Sequence, residues 1–304
     1  MSDFPASVSV REVGPRDGLQ NEAPVSTEAK VELVDALSAT GVRRIEAVSF
    51  VHPRAIPQMA DADEVWQRIT RNADVRYSAL VPNLRGAERA LNAGFKEIEA
   101  VVSASDTHNR KNVNRSTDES LDDIAELIGS AHDAGATVQV IVSTAWGCPY
   151  EGDVPTERVV AVASRAVRDG ADTISFGDTT GMATPGRVTR LIGELRSAHP
   201  DAELNLHFHN TRGAGLANVI AALQLGVADF DASVGGLGGC PYAPGASGNV
   251  ATEELVHMIE DMGVDTGVDL EAMIDAAATA ERIVGRTLPS QVLRAGPRTR
   301  TTPA

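Results

Sequence analysis

Strand-like and helix-like runs alternate along the whole chain, and this rhythm limits the folds open to it more than any other feature. Apolar, β-prone runs lie at 8–13, 44–49, 76–81, 97–104, 137–143, 173–176, 203–209 and 229–234. Between them, apolar residues recur at helical spacing over 27–40, 62–70, 86–93, 120–134, 156–169, 185–198 and 215–225. Val31, Leu33, Val34 and Leu37 show that spacing in the first of these. Ser26-Thr27-Glu28 and Ser116-Thr117-Asp118-Glu119 offer a capping oxygen with acid in the first turn, and Thr184-Pro185 puts proline where no N–H is needed. Gly41, Gly94, Gly135, Gly170 and Gly226 each follow a helical run and precede a strand, as a left-handed cap requires. Short returns of this kind imply a parallel sheet. Eight uninterrupted units predict an α/β fold closed as a (β/α)8 TIM barrel, rather than an open sheet. Residues 1–268 are expected to form the barrel. Residues 269–295 are expected to add a helical extension packed on it, with a disordered tail at 296–304. Gly235 to Gly239 is glycine-rich but follows the last strand, so it does not fit a dinucleotide-binding turn.

Composition removes several classes of function. A formal charge of −15 argues against nucleic acid and anionic membranes as partners. No apolar run reaches the roughly 18 residues that suggest a membrane span, and the N-terminus shows no targeting pattern. Two cysteines, Cys148 and Cys240, rule out a disulfide framework and point to the reducing cytoplasm.

In such barrels chemistry sits at the C-terminal strand ends. There the chain carries Gly14-Pro15-Arg16-Asp17-Gly18-Leu19-Gln20-Asn21-Glu22, then Glu46, Gly177-Asp178-Thr179, and His207-Phe208-His209. A glycine-rich loop follows, with Cys240 inside it and Asn249 at its end. On an extended chain, residues two apart share a face, so His207 and His209 can converge on one point. With Asp17 and the amide oxygen of Asn249 they make a mixed nitrogen and oxygen donor set. That set suits a hard divalent cation, Mg2+ or Mn2+, though ligand type alone leaves zinc open. Asn249 has a competing reading as a cap for the helix that follows. The basic run Arg110-Lys111-Asn112-Val113-Asn114-Arg115 reads either as a solvated loop or as a phosphate contact.

The Val13-to-Glu22 motif, Gly177-Asp178-Thr179, the histidine pair, and Gly235 to Asn249 with Cys240-Pro241-Tyr242-Ala243-Pro244-Gly245 together resemble the 3-hydroxy-3-methylglutaryl-CoA lyase family. The resemblance runs from about residue 8 to 286. It implies metal-dependent cleavage of 3-hydroxy-3-methylglutaryl-CoA to acetyl-CoA and acetoacetate, by a homodimer or higher homo-oligomer. It implies metal ligation by Asp17, His207, His209 and Asn249, and enolate stabilisation by Arg16. It further implies proton transfer by His207 and by Cys240, and activity-supporting acids at Glu46, Asp178 and Glu253. Asn21, Arg110 and Lys111 are expected to contact coenzyme A. The chemistry is coherent: a cation lowers the pKa of a hydroxyl it binds, Arg16 can steady an enolate, and a thiol can protonate it.

Two departures from the family pattern bear on substrate. Ala23-Pro24 stands where relatives often have lysine, and Asn210 with Arg212 follows the second histidine. The latter pair motivates an alternative, a lyase for a related 3-hydroxy-acyl-CoA such as citramalyl-CoA. A Claisen-type synthase is disfavoured by the Cys240 loop, and a zinc amidohydrolase by Arg16-Asp17 at the first strand. The pathway, whether leucine, terpenoid or itaconate breakdown, is left open; leucine degradation is the expectation.

Overall fold

The structure, a computed structural model, describes residues 4–239 and 247–301. Strands β1 (Ser9–Glu12), β2 (Arg44–Ser49), β3 (Arg76–Val81), β4 (Glu97–Ser103), β5 (Thr137–Ser143), β6 (Thr173–Gly177), β7 (Leu204–His207) and β8 (Asp229–Ala232) close into a barrel in sequence order. Every neighbouring pair is parallel, and β1 pairs with β8 with Arg11 opposite Asp231. Around it run α1 (Thr27–Ser38), α2 (Ala62–Arg68), α3 (Leu84–Asn92), α4 (Asp106–Val113), α5 (Thr117–Asp133), α6 (Thr156–Arg168), α7 (Pro185–Ala198) and α8 (Gly215–Leu223). Then come α9 (Thr252–Asp261), α10 (Leu270–Val284) and α11 (Gln291–Ala295).

Local chemistry explains these boundaries. Ser26 caps α1 by accepting from Ala29 N–H, and Ser116 with Glu119 forms a full capping box on α5. Gly94, Gly135, Gly170 and Gly226 have positive φ at the returns into strands. Apolar faces of the helices meet the outer faces of the strands in one continuous core containing Leu33, Leu37, Ile98, Leu127, Ile192 and Leu206.

The structure departs from the sequence reading at three places. The segment carrying the basic run is partly the helix α4, capped by Ser105 and ended by Asn114 at φ 56. The turn after β1 is a π-helical segment, Gly14–Gly18, in which Gly18 N–H reaches back to Val13 O. Strand β7 stops at His207, so His209 lies just beyond it, held in an isolated bridge to Asn249. Of the tail expected at 296–304, residues 296–301 are described, with Arg298 paired with Asp261 and Arg300 with Glu271.

The barrel interior is unusual for being polar. Each strand contributes a buried polar residue: Arg11, Glu46, Ser78, Glu99, Gln139, Ser175, Asn205 and Asp231 in strand order. Arg11 on β1 reaches Glu99 on β4 at 2.6 Å. These strands are not neighbours, so that contact crosses the lumen. Barrels of this type are usually filled with branched apolar side chains; a charged filling needs internal pairing to offset its desolvation.

Candidate active site

The π-helical turn after β1 brings Arg16 and Asp17 to the mouth of the barrel. It requires close approach of the Gly18 backbone to the side chains of Leu237 and Ser233. A Cβ on Gly18 would lie 2.8 Å from Leu237 Cβ and 2.9 Å from Ser233 Oγ, so glycine there lets the turn seat against the base of the glycine-rich loop. Single π-turns occur disproportionately at functional sites.

Asp17, His207 and His209 each offer a donor atom, and these atoms lie within 4.8 Å of one another. His207 Nε2 is 3.2 Å from His209 Nε2 and 3.8 Å from Asp17 Oδ2. Asn249 donates from Nδ2 to Asp17 Oδ2 at 2.8 Å and to Leu237 O at 2.9 Å. It does not cap the following helix, whose cap position is Ala251. Asn249 Oδ1 and His209 Nδ1 are buried with no hydrogen-bond partner among the described residues. Buried polar atoms without partners are rare and call for a ligand, ion or water. Two imidazoles, one carboxylate and one spare amide oxygen fit a divalent cation in donor type and in convergence.

The electrostatics of Asp17 and His209 agree. Burial alone would raise Asp17, but Arg16, then His207, His209 and the Asn249 amide outweigh it and hold the carboxyl at about 2. Burial, followed by the neighbouring His207, pushes the His209 ring down to about 3, leaving it neutral as ligation requires. Burial opposes charge on His207, yet the hydrogen bond to Asp231 and the Asp17 carboxylate raise it. Asp231 accepts from or faces His207 Nδ1 at 3.2 Å.

Arg16 is fixed on both sides, with Nη1 2.8 Å from Asp17 Oδ1 and Nη2 2.6 Å from Glu46 Oε2. Glu46 is fully buried. Burial and the Glu99 carboxylate push its acid well above the ordinary range against the pull of Arg16. Asp178 begins the turn after β6; its Oδ1 accepts from Met182 and Ala183 N–H, while Oδ2 is buried without a partner among the described residues. Burial, opposed by those two N–H groups, pushes Asp178 up to about 6.

The remaining expected site residues lie apart from this cluster or do other work. Glu253 sits in the first turn of α9 and accepts from Gly235 N–H at 3.0 Å, bracing the base of the glycine-rich loop. Asn21 donates to Gly239 O at 3.3 Å. Arg110 pairs with Asp106 at 2.7 Å, and Lys111 Nζ lies 4.8 Å from the Tyr150 ring centre. Asn210 Oδ1 accepts from Gly215 N–H at the start of α8, and Arg212 donates to Thr180 O and Gly181 O. These bonds engage the Asn210 side-chain oxygen and one nitrogen of the exposed Arg212 in local structure. Cys240 lies outside the described residues.

Four residues that matter to this architecture were not singled out from sequence: Glu12, Arg11, Glu99 and Asp231. Glu12 Oε1 accepts from Gly14 and Val234 N–H, and Oε2 lies 2.5 Å from Thr252 Oγ1. It ties β1, the loop after β8 and α9 together beneath the cluster. The available signal was a charged residue within an otherwise apolar strand, which in a barrel must be either a surface group or a paired interior one.

A closed parallel barrel with a carboxylate and two imidazoles converging at its C-terminal mouth defines a (β/α)8 barrel with a candidate metal site. The HMGL-like family model matches residues 7–280, and the chain belongs to that family. It is 48% identical over 292 residues to the hydroxymethylglutaryl-CoA lyase of Bacillus subtilis, covering 96% of this chain and 98% of that one. The crystal structure of the B. subtilis HMG-CoA lyase superposes with a TM-score of 0.94, covering 96% of this chain and 98% of that chain. An (R)-citramalyl-CoA lyase from Chloroflexus aurantiacus is 45% identical, covering 96% of this chain and 95% of its own. An HMG-CoA lyase from Acinetobacter baumannii, solved with coenzyme A and 3-methylmalate, is 43% identical with a TM-score of 0.94 over the whole of both chains.

Proposed function

We propose that this protein is a carbon–carbon lyase that cleaves 3-hydroxy-3-methylglutaryl-CoA to acetyl-CoA and acetoacetate, in the cytoplasm. The observation that carries the reading is the convergence of Asp17, His207 and His209 beside a doubly anchored Arg16. Asp17, His207, His209 and Asn249 would hold one Mg2+ or Mn2+. Such an ion acidifies a hydroxyl and polarises a carbonyl.

The chain's own groups account for the rest. Breaking the bond between the hydroxyl-bearing carbon and the thioester methylene requires the hydroxyl proton to leave. Asp178 is suited to take it, because an acid held near 6 with an unpartnered oxygen is close to the working pH. The electron pair of the broken bond passes to the thioester as an enolate. Arg16 keeps its charge under all relevant conditions, and its pairing with Asp17 and Glu46 orients it before substrate arrives. The enolate carbon then takes a proton, for which Cys240 is the proposed donor. Glu253 and Glu12 hold the loop that carries it. Asn21, Arg110 and Lys111 are proposed to border the coenzyme A path, and the active form is proposed to be a homo-oligomer serving leucine breakdown.

The identity to a citramalyl-CoA lyase supports a second reading, release of pyruvate from citramalyl-CoA. Incubating the purified protein with each thioester and Mg2+ or Mn2+ separates them. We expect acetoacetate from the first and slow turnover of the second; rapid pyruvate release with no acetoacetate reverses the assignment.

A further inference from the structure

The two histidines of the cluster are not equivalent. His209 Nδ1 has no hydrogen-bond partner among the described residues, whereas His207 Nδ1 faces Asp231 Oδ2 at 3.2 Å. Asp231 is held as tightly as its geometry allows. Its Oδ1 accepts from Arg11 Nε at 2.9 Å and Asn205 Nδ2 at 2.9 Å, and its Oδ2 accepts from Arg11 Nη2 at 2.8 Å. Arg11 is fixed in turn by Glu99 at 2.6 Å, and Glu99 by Ser78 Oγ at 2.5 Å. Asp231, Arg11, Asn205, Glu99 and Ser78 are all buried.

We propose that Asp231, clamped by Arg11, is a positioning residue that locks His207 with its proton on Nδ1 and its Nε2 lone pair aimed at the cation site. The argument is one of donors and acceptors. A carboxylate clamped by a guanidinium through two hydrogen bonds is ionised and can only accept, so the facing ring nitrogen must be the donor. In a neutral imidazole the proton on Nδ1 leaves Nε2 as the lone-pair nitrogen, and Nε2 is the atom that faces Asp17 and His209. Partners of this kind behind a ligating histidine fix ring orientation and raise its basicity.

The arrangement also explains a charged barrel interior. Arg11 and Asp231 are direct register partners across the seam where β1 meets β8. The chain termini of the barrel thus orient the histidine on β7 through a hydrogen-bonded relay. Glu99 keeps the guanidinium compensated from the opposite wall, which frees Asp231 to serve both Arg11 and His207. The inference rests on the metal-site reading of the cluster, and its measurements need no acyl-CoA, so failure of the substrate assignment leaves it standing.

The test begins with the unaltered protein. Nitrogen-15 NMR of histidine-labelled, Mg2+-loaded protein should show His207 protonated at Nδ1 and ligating through Nε2; a proton on Nε2 overturns the proposal. Asp231→Asn keeps the size and one acceptor oxygen but removes the charge. Once circular dichroism shows it folded, its Mn2+ affinity by titration calorimetry should fall about 10- to 100-fold. The visible spectrum of its Co2+ form should also shift, whereas His132→Gln, a surface histidine distant in sequence from the cluster, should change neither. Unchanged affinity and spectrum in Asp231→Asn would refute the positioning role. If that variant does not fold, the tautomer in the unaltered protein still decides.

Discussion

Arg16 shows how a single residue's behaviour follows from its two neighbours. Asp17 and Glu46 flank it, and Glu46 reaches it from inside the barrel with no exposure of its own. Glu46→Gln should leave Arg16 charged but free to swing toward Asp17. A small misplacement of a transition-state donor costs about 100-fold in rate, so kcat should fall on that order with the reaction measured at saturating substrate. Full activity in that variant would mean Asp17 alone orients the guanidinium. The residue types at this site were legible from sequence: Arg16, Asp17, His207 and His209 stand in short motifs at expected strand ends. The hydrogen bond from the Asn249 amide to Asp17 was not, because the two residues stand 232 positions apart and no local spacing records that.

At the level of elements, the π-helical turn after β1 and the glycine-rich loop after β8 meet over Glu12. Burial, opposed by hydrogen bonds from Thr252, Val234 and Gly14, raises Glu12 to about 7 from an ordinary 4.5. The sign follows directly. The folded state holds a proton on Glu12 that the unfolded chain has already released, so this contribution to stability is present below 4.5 and is lost as pH rises through 7. Asp17, depressed to about 2, stays ionised across that window and adds no slope there. Glu12→Gln suits the site: its oxygen can keep the Gly14 and Val234 N–H groups while its amide donates to Thr252 Oγ1. Urea denaturation of the cation-free protein at both ends of the window should show the native chain losing on the order of 3 kcal/mol relative to Glu12→Gln. Equal slopes would place the Glu12 ionisation outside the window. The strand and helix elements themselves were readable to within a few residues, since period 2, period 3.6 and glycine caps are local signals. α4 was read as a loop because its residues Asp106 to Val113 are almost wholly polar and show no apolar stripe.

For the whole molecule, the buried mouth and lumen set the charge balance. Arg11 and Arg16 face Asp17, Glu46, Glu99 and Asp231, so the interior carries more carboxylates than guanidiniums. A divalent cation held by the Asp17, His207 and His209 cluster would relieve that imbalance and stabilise the folded state. At 100 times its dissociation constant it should add about 2.7 kcal/mol of stability, seen as a rise in thermal midpoint that EDTA reverses. Asp17→Asn should abolish the rise; a cation-insensitive native protein would remove the cluster from consideration as a metal site. Sequence by itself determined the barrel, the strand ends that carry chemistry and most of the donor types, because each of these is written in spacing along the chain. Only the tertiary structure decided which charges share the lumen. Barrel closure sets Arg11 beside Asp231, 220 positions apart, and puts Glu99 across from them, so the group that orients His207 exists only once the first strand has met the last.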